Sequence, residues 1–269
     1  MSGMHNDVTG SGSNDILRLV INLDRSPKRF ESISKQLSSM GLSFLRMSAT
    51  DGSKLTAEEL AHLEAPYDAP EKFVFRKSLW PNEIGCFLSH VACWKQLVES
   101  NYEWALIMED DIVLSPRFKQ FAYSSDWIPP DVRVIQLHGS RQTFTVGESY
   151  PAHDTELLRI IRPTPLCCFA YLIHREAAAY ALATYMPIPA PVDDWLFCPY
   201  SDFAKRFPPH RLLVACAGAL DTRSDIGDRT RRRQLPTCIK VRLRRALRSG
   251  IYRLSTIFQK RHTVTLTRD

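Results

Sequence analysis

Three consecutive acids interrupt an apolar run in "WALIMEDDIVL", Trp104 to Leu114. If Trp104 to Met108 is a central strand, then Glu109, Asp110 and Asp111 stand at its carboxyl end, where open α/β sheets bind their ligands. Adjacent carboxylates in a partly buried place repel one another and lose hydration, so a cation should compensate them. A hard divalent ion, Mn²⁺ or Mg²⁺, takes oxygen ligands and is commonly shared between one or two carboxylates and substrate phosphates. The competing reading is an acidic turn in solvent. Apolar residues on both sides favour the ion.

A second set of reactive side chains precedes it. In "PNEIGCFLSHVACWKQLVES" apolar residues fall at 84, 87, 88, 91, 94, 97 and 98, which is helical spacing over several turns. Glu83 and His90 are seven residues apart and so share a face, with Cys86 between them on about the same side. By spacing alone His90 reads as a satisfied structural histidine and Cys86 as packing. Further on, "PVDDW" puts Asp193 and Asp194 in a segment, Pro187 to Pro209, that holds six of the seventeen prolines and reads as a long surface loop.

These groups need a frame. "ILRLVINL" (16–23) reads as a strand, and "DRSPKRFESISKQLSSMG" as a helix with Ser26 as cap, Pro27 at its first position and Gly41 as its stop. "LSFLRMSATDG" reads as a second strand, completing a βαβ unit. A short helix at 56–63, strands at 104–109, 132–137 and 168–174, and an alanine-rich helix at 175–185 continue the alternation. The pattern predicts an α/β, Rossmann-like, mostly parallel sheet flanked by helices. No glycine-rich phosphate loop follows any strand, so a P-loop or dinucleotide fingerprint is missing.

The blocks "VINLDRSPKR", "NEIGCFLSHVACWK", "ALIMEDDIVL" and "SDIG" (224–227), in this order, resemble the signature blocks of glycosyltransferase family 25, the lipooligosaccharide glycosyltransferases, which also resemble collagen galactosyltransferase domains. The resemblance implies a GT-A type fold, a UDP-sugar donor, a divalent metal at an Asp-x-Asp-like motif and inversion at the anomeric carbon. That motif is here Glu109-Asp110-Asp111, without the literal spelling, and Asp110 and Asp111 are its expected metal ligands. Glu109, on the alternate face of the strand end, is then expected to contact the ribose or sugar. The resemblance also puts donor contacts at Asn22, Leu23, Arg25 and Arg29, borders the donor pocket with Glu83 and His90, and makes Asp225 a late donor or metal contact. An inverting displacement needs a general base on the acceptor hydroxyl. Asp193 is the expected base and Asp194 its alternate, which would otherwise cap a short helix starting at Trp195. The implied reaction moves a hexose, galactose before glucose, from a UDP-hexose to a lipid-linked saccharide of lipooligosaccharide or lipopolysaccharide. A glycoside hydrolase, which also uses paired carboxylates, and a non-catalytic nucleotide-sugar-binding module are the alternatives.

Composition sets the surroundings. The 269 residues suit one large domain, 16–228, after a disordered leader, 1–15, rich in Gly, Ser, Asn and Asp. Seven scattered cysteines without a C-x-x-C pair suggest reduced thiols, a cytoplasmic protein and no zinc site or disulfide framework. The net charge of +6 is uneven: residues 229–269 hold thirteen Lys or Arg and one acid, a net of +12, leaving −6 for the rest. From Leu243 a helical apolar stripe runs beside Arg242, Arg244, Arg245, Arg248 and Arg253. A basic amphipathic helix of this kind suits an anionic membrane surface, the inner face of a bacterial inner membrane. The sparse aromatics, Tyr252 and Phe258, argue against nucleic acid.

Overall fold

The computed structural model describes residues 15–66, 69, 78–138, 143–162, 167–199, 201–220, 247, 262–265 and 267–268. The chain opens as expected. Strand β1 (Ile16–Asn22) leads to helix α1 (Pro27–Ser39), which starts at a proline, and the chain leaves the helix through Gly41 at φ 70°. Strand β2 (Leu45–Ser48) then pairs in parallel with β1. A 3-10 turn (Gly52–Lys54) and helix α2 (Ala57–Leu63) follow, with the Thr56 hydroxyl and the Glu59 carboxylate each accepting the other's backbone N–H.

Helix α3 (Pro81–Glu99) precedes strands β3 (Trp104–Glu109) and β4 (Ile112–Leu114), helix α4 (Phe118–Tyr123), strand β5 (Val134–Gln136) and a long hairpin, β6 (Thr143–Ala152) and β7 (Thr155–Arg162). Strand β8 (Ala170–His174) and helices α5 (Arg175–Thr184), α6 (Val192–Phe197) and α7 (Asp202–Arg206) come next. The described chain ends in strands β9 (His210–Leu212), β10 (Val214–Ala215), β11 (Ala217–Ala219), β12 (His262–Thr265) and β13 (Thr267–Arg268).

Nine strands form one sheet in the order β12-β6-β7-β9-β5-β8-β3-β1-β2. The expected Rossmann-like parallel unit is β2-β1-β3. Beyond it the sheet is mixed: β8 runs antiparallel to both β3 and β5, β5 and β9 are parallel, and the β6–β7 side is antiparallel. Strand β3 is an unbroken apolar run because both its faces are covered. Ala105 and Ile107 pack with Phe87, Trp94, Trp195 and Tyr171 under α3, α5 and α6, while Leu106 and Met108 pack with Ile33, Leu37, Phe118 and Phe121 under α1 and α4.

Two expectations change. The proline-rich segment 187–209 is largely core, since Val192, Trp195, Leu196, Phe197 and Phe203 are buried and α6 and α7 occupy much of it. Spacing of 192, 195 and 196 gives α6 one apolar face, and the prolines mark its edges, with Pro191 just before it. The segment beyond residue 228 was expected to be a separate basic tail, yet its last residues return to the sheet. Strand β12 pairs antiparallel with β6, and β13 pairs with β10. Thr263, Val264 and Thr265 are β-branched and supply the backbone partners that an edge strand otherwise lacks. Within the expected amphipathic helix only Leu247 is described; it is helical and exposed.

Candidate functional site

The chain runs from β1 out to β2 on one side and returns to β3 on the other, so the carboxyl ends of β1 and β3 flank a switch point, where doubly wound sheets bind ligands. Asn22 ends β1 and Glu109 ends β3, with Asp110 and Asp111 in the turn to β4. A ribbon pins this turn. β4 pairs with β11, the Leu220 N–H donates to the Asp111 carbonyl at 2.7 Å, and Gln36 of α1 brackets β4, donating to the Ile112 carbonyl and accepting from the Leu114 N–H.

Alternation splits the triplet between the faces of the sheet. Asp110 is buried on the α1 side, where the Asn22 amide donates to one of its oxygens; Arg29 of α1 lies 3.9 Å from the other and 3.7 Å from an Asp111 oxygen. Asn22 itself is saturated: it also donates to the Ser26 carbonyl at 3.0 Å, and its oxygen accepts from Arg46 at 2.8 and 3.0 Å. In this arrangement Asn22, expected as a donor contact, aims Asp110.

Glu109 points to the α3 side, where His90 Nε2 is 3.9 Å from its Oε1. His90 is wholly buried, and desolvation pushes it down to about 3, so it is neutral. Its tautomer follows from proton accounting. Trp94 Nε1 can only donate, and it donates to the Tyr171 hydroxyl at 3.0 Å. The Tyr171 proton then has one acceptor, His90 Nδ1 at 2.9 Å, which leaves the imidazole proton on Nε2, facing Glu109.

Two groups of side chains offer themselves to a cation. Ligand atoms of Cys86, His90 and Glu109 lie within 4.8 Å of one another. A metal there needs the Nε2 lone pair, which the Tyr171 relay uses to carry a proton, and a thiolate, whereas burial and the charges of Glu109 and Asp193 push the Cys86 thiol well up. An ion at this trio would have to displace both protons. Asp110 and Asp111 present hard oxygens only, at a strand end beside a crevice, and fit Mn²⁺ or Mg²⁺.

Asp193 approaches these groups from α6. Its charge pulls upward on His90 and raises the Cys86 and Cys168 thiols, so it lies close to all three. Helix α6 begins at Val192, three residues before the expected start, so Asp193 and Asp194 both occupy its first turn, and the Asp194 N–H donates to Asp193 Oδ1 at 3.0 Å. Other expected contacts are engaged elsewhere. Arg25 pairs with Asp51, the Leu23 carbonyl accepts from Ser26 in the turn after β1, and Glu83 accepts the Trp80 N–H at 2.9 Å to close the start of α3. Asp225 lies outside the described residues.

Sequence reading missed Tyr171, Arg46 and Asp51, which carry no local pattern, and the reason for Gly85. A Cβ on Gly85 would meet the Gly52 N at 2.5 Å and the Thr50 carbonyl at 2.7 Å, both backbone. The loop after β2 thus rests on α3, and the Ser89 hydroxyl fastens it by accepting the Thr50 N–H at 2.9 Å and donating to the Gly85 carbonyl.

Known proteins resemble this chain in sequence. The family described as "Glycosyltransferase family 25 (LPS biosynthesis protein)" matches residues 16–196, from β1 through the Asp193–Asp194 turn. A "Glycosyltransferase 25 family member" of Drosophila melanogaster is 34% identical over 104 residues, 38% of this chain and 17% of that protein. "Lipooligosaccharide biosynthesis protein lex-1" of Haemophilus influenzae is 26% identical over 130 residues, 44% of this chain and 43% of its own. Human "Procollagen galactosyltransferase 2" is 29% identical over 109 residues, 38% of this chain and 16% of its own. A rat relative at the same 29% is named "Probable inactive glycosyltransferase 25 family member 3", so likeness at this level does not by itself carry turnover. The match thus spans about a sixth of the insect relative's length. With its family match running through the strands and the helix that assemble the site, this chain belongs to glycosyltransferase family 25.

Proposed function

We propose that the chain is a metal-dependent, inverting hexosyltransferase that moves galactose, with glucose as the second candidate, from a UDP-sugar to a saccharide of the lipooligosaccharide or lipopolysaccharide type. One observation carries this: the carboxylates of residues 109–111 sit at the switch point between β1 and β3, with Arg29 facing two of them and Asp193 close by on another element. The names of the Haemophilus influenzae and human relatives support the acceptor and the sugar.

The residues divide the work by position. Asn22 holds Asp110 in one orientation, and Arg29 offsets part of the charge of Asp110 and Asp111. A bound Mn²⁺ or Mg²⁺ would be held by Asp110 and Asp111 and would supply positive charge to the departing diphosphate. Glu109 and the His90 Nε2–H face the donor sugar from the α3 side. Asp193 takes the proton of the acceptor hydroxyl as its oxygen bonds to the anomeric carbon from the face opposite UDP, and the sugar–phosphate bond breaks with its electrons leaving on UDP. The basic stripe from Arg242 to Arg253 holds the protein on the anionic inner face of the inner membrane; no helix among the described residues is long and apolar enough to cross it.

The test is UDP release from a panel of UDP-sugars with a saccharide acceptor across a Mn²⁺ titration. Release that needs both metal and acceptor, and disappears in Asp111→Ala with the circular dichroism unchanged, supports the reading. Saccharide hydrolysis without nucleotide would make the protein a glycoside hydrolase, and UDP binding without turnover a binding module.

A further inference from the structure

Arg211 on β9 is 1% exposed, and among the described residues no carboxylate lies within ion-pair distance of it. Its Nη2 donates to His138 Nε2 at 3.1 Å, which makes His138 neutral with its proton on Nδ1. The Nε and Nη1 atoms of Arg211 are buried and make no hydrogen bond among the described residues. Burial lowers the guanidinium to about 9, so it still carries its charge at neutral pH. The Phe144 ring, 5.5 Å away, adds a cation–π contact. A buried guanidinium loses its hydration, which one ring and one imidazole replace only in part.

The register of the sheet locates this charge. Arg211 neighbours Gln136, Gln136 neighbours Tyr171 and Tyr171 neighbours Ile107, so the four side chains form one row on one face. Glu109, two residues beyond Ile107, is on that face as well. Arg211 therefore lies on the α3 face of the sheet, the face of Glu109, three strand spacings from β3, about 14 Å away. A short saccharide spans that distance.

We propose that Arg211 is the anchor of an oxyanion subsite that takes a phosphate or carboxylate group carried by the acceptor saccharide, bound by the forked donors of its guanidinium. The subsite rests on the glycosyltransferase reading for the identity of its occupant, but the oxyanion contact can be measured apart from turnover.

Metal-free protein, in which the carboxylates of residues 109–111 repel anions, is melted in phosphate, acetate and chloride at matched ionic strength, as wild type and as Arg211→Met. Phosphate or acetate should raise the wild-type Tm above that in chloride, and the rise should vanish in Arg211→Met, which should melt no lower than wild type in chloride because an uncompensated buried charge has been replaced by an apolar chain. A fall of more than about 5 °C in that variant would make Arg211 structural, and equal anion shifts in both proteins would place the binding elsewhere. The source is read from KM for one saccharide with its anionic group and with that group removed. An advantage of about tenfold or more for the anionic form in wild type, lost in Arg211→Met, supports the acceptor; equal values in wild type overturn it. Absence of UDP release with every acceptor, alongside an Arg211-dependent anion shift, would reject the transferase reading and leave the oxyanion contact standing.

Discussion

Asn22 and Asp110 are 88 residues apart in the chain, and their side chains meet across the ends of adjacent strands, the amide of one donating to the carboxylate of the other. Because Asn22 also bonds Ser26 and Arg46, it ties the first turn of the fold to the acidic motif. Asn22→Ala should cost about 1–3 kcal/mol of stability, since Arg46 and a buried Asp110 oxygen lose a partner, and should lower metal affinity by about 10–100-fold. Calorimetry with Mn²⁺ and denaturant melts measure the two effects. Undiminished metal affinity would remove Asp110 from the ligand set.

Asp193 and Asp194 are separated by the electrostatic reach of Asp193 to His90, Cys86 and Cys168. Asp193→Asn should lower kcat by about 10²–10⁴-fold with the KM for the UDP-sugar nearly unchanged, and Asp194→Asn should do far less. The reverse ranking in steady-state kinetics would exchange their roles.

The buried, neutral His90 makes stability depend on pH. Unfolded, the imidazole binds its proton near 6.5, and folded only near about 3, so the unfolded state takes up the proton first as pH falls. Stability from this source is complete above pH 6.5 and drains away below it, at a limiting slope of about 1.4 kcal/mol per pH unit. His210, pushed down to about 4 by burial, adds to the same trend. Urea melts at pH 7 and pH 5 should show the loss in wild type and a smaller loss in His90→Asn. Equal losses would mean that His90 is not buried neutral.

Gly85→Ala should destabilise by about 1–3 kcal/mol, because the new methyl group would press on the Gly52 and Thr50 backbone with no flexible neighbour to yield. A melting temperature equal to wild type would show that the loop after β2 does not rest on α3.

The basic stripe and the returning strand β12 can be tested apart. Changing Arg242, Arg244, Arg245 and Arg248 to Gln should abolish sedimentation with anionic liposomes and leave the Tm unchanged. Ending the chain at residue 261 should instead expose the edge of β6, lowering the Tm and promoting self-association. Liposome binding that survives the four substitutions would rule out the membrane role.

Much of this protein is local in origin and therefore legible in the sequence. The β1-α1-β2 opening, α3 and β3 follow from apolar periodicity, from Pro27 and from Gly41, and the place of residues 109–111 follows from an apolar run that ends in charge. The α6 start and the core burial of 192–203 escaped because short helices between prolines carry too few turns to show a period. What only the tertiary structure decided is partnership. That Asn22 is spent on Asp110 and Arg46, that Trp94 and Tyr171 set the proton of His90, and that Arg211 is buried without a carboxylate partner among the described residues all depend on strands aligned from distant parts of the chain. Spacing along one element sets which side chains share a face; the register between elements sets which hydrogen-bonding atoms are already used and which remain for a ligand.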